Sequence, residues 1–210
     1  MLRKLITGAV AAGVAGTTAL LAPMAYAAPA GTGQDIGTVQ DRGVHVPVGS
    51  RVPSFDGLTE LMIQRILIGD DVAASKYFSG KPVDDPVREQ QILDSVRQSA
   101  VQLGIDPEST AQFFQAQIDA SKVVQRGLLA YWAAHPDKAP ATGPDLNVIR
   151  EKLDALTTQL LAELVRVDHL RRTGPRCAIA LFVSTTSAEI RHHLDQLHRQ
   201  AVRTASATVC

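Results

Sequence analysis

Four polar side chains interrupt apolar helical stripes, and four more lie at or beside the edges of such stripes. From Leu58 towards Phe78, residues 58, 61, 65, 68, 72 and 76 share one helical face, and that face carries Arg65 and Lys76. Their eleven-residue separation is about three turns, so both point the same way on a continuous helix. Arg88 lies one turn before Ile92, with Asp85 three residues ahead of it and Glu89 beside it. Residues 114, 118, 121, 125, 128 and 132 form another stripe, broken by Ser121 and Gln125; Arg150 is a turn from both Leu146 and Leu153. Buried cations are costly unless paired. Arg65, Lys76, Arg88 and Arg150 outnumber Asp85 and Glu89, leaving about two positive charges unneutralised. A small dianion would neutralise them.

The elements that must hold these residues are helical. Apolar residues at helical spacing predict a first helix from Leu58 towards Phe78, with Gly69-Asp70 able to kink it. A second runs from about Pro86 to Leu103 on Ile92, Val96, Ala100 and Leu103. Gly104 stops it, and Asp106-Pro107 opens a third that reaches about Ala134, with Asp as N-cap and Pro at the first helical position. A fourth follows Asp145 on Leu146, Ile149, Leu153, Leu156, Leu160 and Leu164, and one or two more occupy Ala178 to Ala207. Only 4% of residues are aromatic, and no long period-two alternation occurs, which excludes an all-β fold. The fold class is an all-α, single-chain helical bundle. With 21 Lys+Arg against 21 Asp+Glu, the chain lacks the basic face that nucleic-acid binding requires.

The amino-terminal segment is expected to stand apart from this bundle. Residues 1–27 read as a cleaved secretory signal: Arg3 and Lys4, then an uncharged apolar run, then Ala25-Tyr26-Ala27 as a cleavage site. Its loss removes two bases and no acid, so the mature protein is slightly acidic, exported, and without a stable membrane-inserted segment. Residues 28–57 read as a flexible tail, and 58–210 as the domain. In a reducing compartment Cys177 and Cys210 would be two thiols. In an exported chain the pair is most simply one disulfide, closing the C-terminal helical segment. Such a loop contributes roughly 3–4 kcal/mol by chain entropy. The histidines supply no metal-ligand spacing and read as solvated surface.

At these residues the sequence resembles the all-helical chorismate mutases, and in particular their exported, larger variety. The likeness runs from about Leu58 to Cys210. It rests on Arg65 and Lys76, then Asp85-x-x-Arg88-Glu89, Gly104-Ile105-Asp106-Pro107, Ser121-x-x-x-Gln125, Arg150 and the Cys177/Cys210 pair. The resemblance implies rearrangement of chorismate to prephenate without a cofactor. It implies Arg65 and Arg150 as clamps for the two carboxylates, and Lys76 and Gln125 as donors to the ether oxygen. Asp85, Arg88, Glu89 and Ser121 complete the site, with Glu89 suited to the ring hydroxyl. It further implies a homodimer with each site built from one chain. Three alternatives stand beside it: an isochorismate pyruvate lyase on the same fold, a non-catalytic secreted helical binding module, and a membrane-active helical protein. The last lacks a strongly basic amphipathic segment.

Overall fold

The computed structural model describes residues 54–210; the signal peptide expected over residues 1–27, and the tail up to residue 53, lie outside the described residues. Six α-helices follow in order: α1 (Asp56–Ser79), α2 (Pro86–Leu103), α3 (Pro107–Ala134), α4 (Leu146–Arg171), α5 (Pro175–Arg191) and α6 (Gln196–Ser206). A short 3-10 turn, Pro136–Lys138, sits between α3 and α4. There is no strand among the described residues.

Local signals set most boundaries. Asp85, Asp106, Asp145 and Asp195 precede α2, α3, α4 and α6, and each accepts a backbone N–H from the first turn of its helix. Pro86 and Pro107 occupy first-turn positions where a missing N–H costs nothing. Gly80 and Gly104 end α1 and α2 with φ of 66° and 72°, a left-handed conformation that disfavours a side chain.

The central helix is α1, which packs against α3, α4, α5 and α6. Accordingly its buried residues are not confined to one face; Leu58, Met62, Ile63, Ile66, Gly69 and Ala73 are all covered. It begins at Asp56 and Phe55 is fully buried, so residues 55–57, read from sequence as the end of the flexible tail, belong to the bundle. α1 runs through Gly69 as one unbroken helix. A Cβ there would stand 3.2 Å from Val124 Cβ and Cγ1, so this glycine serves the close approach of α1 and α3. The α2 stripe is thinner than expected, because Val96 and Ala100 are buried whereas Leu103 is exposed.

The main core joins Phe55, Leu58 and Met62 to Phe113, Phe114 and Leu160. Phe113 and Phe114 meet edge to face with centroids 5.3 Å apart, a favourable quadrupolar arrangement. At the C-terminus, α6 lies along α3, where Gln117 Nε2 donates to the Ala205 carbonyl at 2.9 Å. Cys177 and Cys210 form the expected disulfide. Arg171 Nε donates to the Val209 carbonyl at 2.9 Å and Nη2 to Ser109 Oγ at 2.9 Å, tying the chain's last residues to the start of α3.

One expectation about the surface fails. His198 is buried, lying between Asp70 of α1 (Nε2 to Oδ1, 3.0 Å) and Asp195 (Nδ1 to Oδ1, 2.8 Å). The hydrogen bond to Asp70 does most to raise its pKa, burial opposes this, and Asp195 adds to it, leaving a value of about 9. Apolar periodicity cannot reveal a residue buried by ion pairing to a distant helix.

Candidate active site

Where α1, α2, α3 and α4 converge, they enclose a cavity of about 690 Å³, roofed at one side by the α1–α2 connection. Its volume lies in the range of small-molecule sites. Arg65, Lys76, Asp85, Arg88, Glu89, Ser121, Gln125 and Arg150 all line it, so the eight polar residues picked from the sequence come together. Val72, Ile92, Ile118, Ile149, Leu153 and Leu161 supply apolar wall between them.

Arg65 is the most buried of the cations, at 5% exposure. Its Nε and Nη1 have no hydrogen-bond partner. Burial pulls the guanidinium pKa down to about 10, with the charge of Asp154 opposing. The group therefore remains protonated at neutral pH, with donors free for an anion. Arg150, on α4, also lines the cavity but is exposed, and its Nη1 donates to Asn147 Oδ1 at 3.3 Å. Arg88 extends towards the same helix, its Nη2 3.7 Å from Asp154 Oδ1.

Two further donors line the cavity, Lys76 and Gln125. Lys76 Nζ donates to the Val83 carbonyl at 2.8 Å, which fastens the α1–α2 connection and leaves two further N–H bonds. Burial lowers its pKa, Asp85, Asp84 and Glu89 oppose that, and Lys122 reinforces it. Gln125 is 4% exposed; Nε2 donates to Ser121 Oγ at 2.9 Å, and Oε1 has no partner.

Asp85 and Glu89 have structural work as well. Asp85 Oδ1 caps α2 by accepting from the Arg88 backbone N–H at 3.1 Å, and Glu89 Oε1 accepts from the Asp85 N–H at 3.1 Å. These reciprocal bonds resemble a capping box one residue displaced. Glu89 Oε2 also accepts from Lys122 Nζ at 2.7 Å.

Four charged residues of the wall escaped the reading of apolar stripes: Lys81, Asp84, Lys122 and Asp154. Lys122 follows Ser121 directly and so falls off the stripe. Its ammonium, 13% exposed, also stands 3.2 Å from Asp84 Oδ1. Burial pulls its pKa down, but the hydrogen bonds to Glu89 and Asp84 outweigh this and raise it. Asp154 had a usable signal, being one helical turn beyond Arg150. In total six cations (Arg65, Lys76, Lys81, Arg88, Lys122, Arg150) face four carboxylates (Asp84, Asp85, Glu89, Asp154). The surplus of two remains after the wall is complete. Such a cavity is built for a small, doubly charged anion with an apolar body.

Residues 56–126 match the family model described as chorismate mutase type II. The chain is 33% identical over 191 residues to the secreted chorismate mutase of Mycolicibacterium smegmatis, covering 91% of this chain and 99% of that protein. It is 28% identical over 170 residues to the secreted chorismate mutase of Mycobacterium tuberculosis, covering 78% and 85% respectively. Among solved structures, chorismate mutase from Burkholderia thailandensis superposes with a TM-score of 0.71 at 36% identity, covering 74% of this chain and 98% of that one. The chain belongs to the chorismate mutase family.

Proposed function

We propose that the cavity between α1, α2, α3 and α4 is the chorismate site of this chorismate mutase, with each residue acting as follows. The reaction is an intramolecular Claisen rearrangement: one C–O bond breaks while one C–C bond forms within the same molecule. It calls for no nucleophile, no proton transfer and no cofactor. A protein can help by holding the enolpyruvyl arm over the ring, and by stabilising negative charge on the ether oxygen as its bond stretches. Arg65 and Arg150 would grip the two carboxylates, since guanidinium–carboxylate pairs fix geometry as well as charge. Lys76 and Gln125 would donate to the ether oxygen. Donors held in place beforehand serve this role without reorganisation at the moment of reaction. Arg88, Asp85, Glu89 and Ser121 would complete the contacts, with Glu89 accepting from the ring hydroxyl.

The observation that carries this reading is Arg65, a buried guanidinium whose Nε and Nη1 have no partner in the protein. A structural arginine at 5% exposure would have its donors satisfied. A non-catalytic binding module would have no use for a buried, unpartnered guanidinium inside a cavity with surplus positive charge. The test is incubation of purified Ala28–Cys210 with chorismate. Loss of chorismate matched by prephenate is the expected result, whereas pyruvate release from isochorismate alone would favour the lyase.

Three relatives, from Mycolicibacterium smegmatis, Mycobacterium tuberculosis and Yersinia pestis, are named secreted chorismate mutases. Together with the Cys177–Cys210 disulfide, those names support an exported protein with residues 1–27 removed. Mass spectrometry of the protein from culture fluid and from periplasm would locate it and read its first residue. A homodimer, supported by the family resemblance, is tested by analytical ultracentrifugation.

A further inference from the structure

Asp154 is the one carboxylate that α4 contributes to the cavity wall, and it serves no helix cap. Its Oδ1 stands 3.7 Å from Arg88 Nη2, across from α2. It is also the acidic group whose charge acts on the buried Arg65. Arg150 lies one turn earlier on the same helix. One carboxylate therefore stands beside Arg88, acts on Arg65 and lies one turn from Arg150, in a cavity with surplus positive charge.

We propose that Asp154 sets the charge requirement of the site, pairing with its guanidinium groups and competing with a ligand carboxylate for them. The inference rests on the cavity being the chorismate site. With Asp154 the wall carries six cations against four carboxylates, a surplus that matches a dianion. Without it the surplus grows by one, and single anions with no complementary shape find an unpaired arginine. Asp154 thereby lowers affinity for the substrate slightly while making the site selective for a doubly charged one. Its side chain is 69% exposed and that of Arg88 42%, so the competition is screened and its effect is modest.

The experiment compares the parent with Asp154→Asn, Asp154→Glu and Glu151→Gln. The last removes a nearby exposed charge of α4 that lies outside the cavity wall. For each, KM and kcat for chorismate are measured at low ionic strength, and the unfolding midpoint is recorded with and without inorganic phosphate. Asp154→Asn should lower KM by roughly two- to fivefold with little change in kcat. Phosphate should raise its midpoint more than the parent's. Asp154→Glu and Glu151→Gln should follow the parent in both. A KM that rises or stays constant in Asp154→Asn overturns the inference, as does a phosphate effect equal to the parent's. Should the parent not turn over chorismate, the reading of the cavity fails, and the phosphate comparison alone decides the role of Asp154.

Discussion

Gln125 Nε2 donates to Ser121 Oγ at 2.9 Å, one turn away on α3, while the equally buried Oε1 has no partner. The amide is thus anchored through one N–H, with a second N–H left for the cavity. Because an amide does not ionise, donation from Gln125 is independent of pH. Gln125→Glu keeps the shape and makes donation conditional on a proton. An ionised carboxylate would oppose the negative charge developing on the ether oxygen. The variant should be most active at acid pH and lose rate as that carboxyl ionises, a dependence absent from the parent. Superimposable pH–rate profiles would remove Gln125 from the breaking bond.

Much of this site was legible because its residues violate a pattern. Arg65, Lys76, Ser121 and Gln125 occupy positions where periodicity calls for apolar side chains, and that conflict is local and visible. Helix ends were legible for the same reason, since Asp85-Pro86, Asp106-Pro107 and Gly104 act within a turn. What escaped depends on partners far along the chain. Lys122 is placed by Glu89 and Asp84, and His198 by Asp70, 128 residues away. The centrality of α1 was hidden too, because the stripe on 58, 61, 65, 68 and 72 is only one of its covered faces, and Met62, Ile63 and Ile66 are buried on others. Gly69, read as a possible kink, is explained by Val124 approaching from α3.

His198 links stability to pH in a direction that can be worked out. Its folded-state pKa of about 9 exceeds the unfolded value of 6.5. The native state therefore holds the proton more tightly. The resulting stabilisation is fully present below about pH 6.5 and is lost as pH rises through about 9. Unfolding midpoints measured from pH 6 to 10 should fall across that window in the parent. His198→Gln should start lower and show a flatter slope; a parallel slope would show that another group governs the alkaline loss.

The disulfide should matter to stability rather than to chemistry. Neither Cys177 nor Cys210 lines the cavity. The described residues include no free cysteine. Reduction should cost at most about 3–4 kcal/mol of folding free energy and leave kcat unchanged well below the unfolding transition. Thiol titration before and after reduction, paired with activity and denaturant curves, checks this. Loss of turnover in a still-folded reduced protein would tie α5 and α6 to the site more closely than the packing indicates.

Arg65 is buried with Nε and Nη1 unpartnered, an arrangement that costs stability unless an anion answers it. The sharpest measurement is kcat/KM for chorismate in Arg65→Met, with the unfolding midpoint taken on the same sample. An unpaired buried charge is destabilising, so an apolar residue of similar length should hold or raise the midpoint. The loss of a carboxylate clamp should lower kcat/KM by about 10²-fold or more. A variant that keeps parental kcat/KM, or that loses activity only because it has lost its fold, would contradict the account.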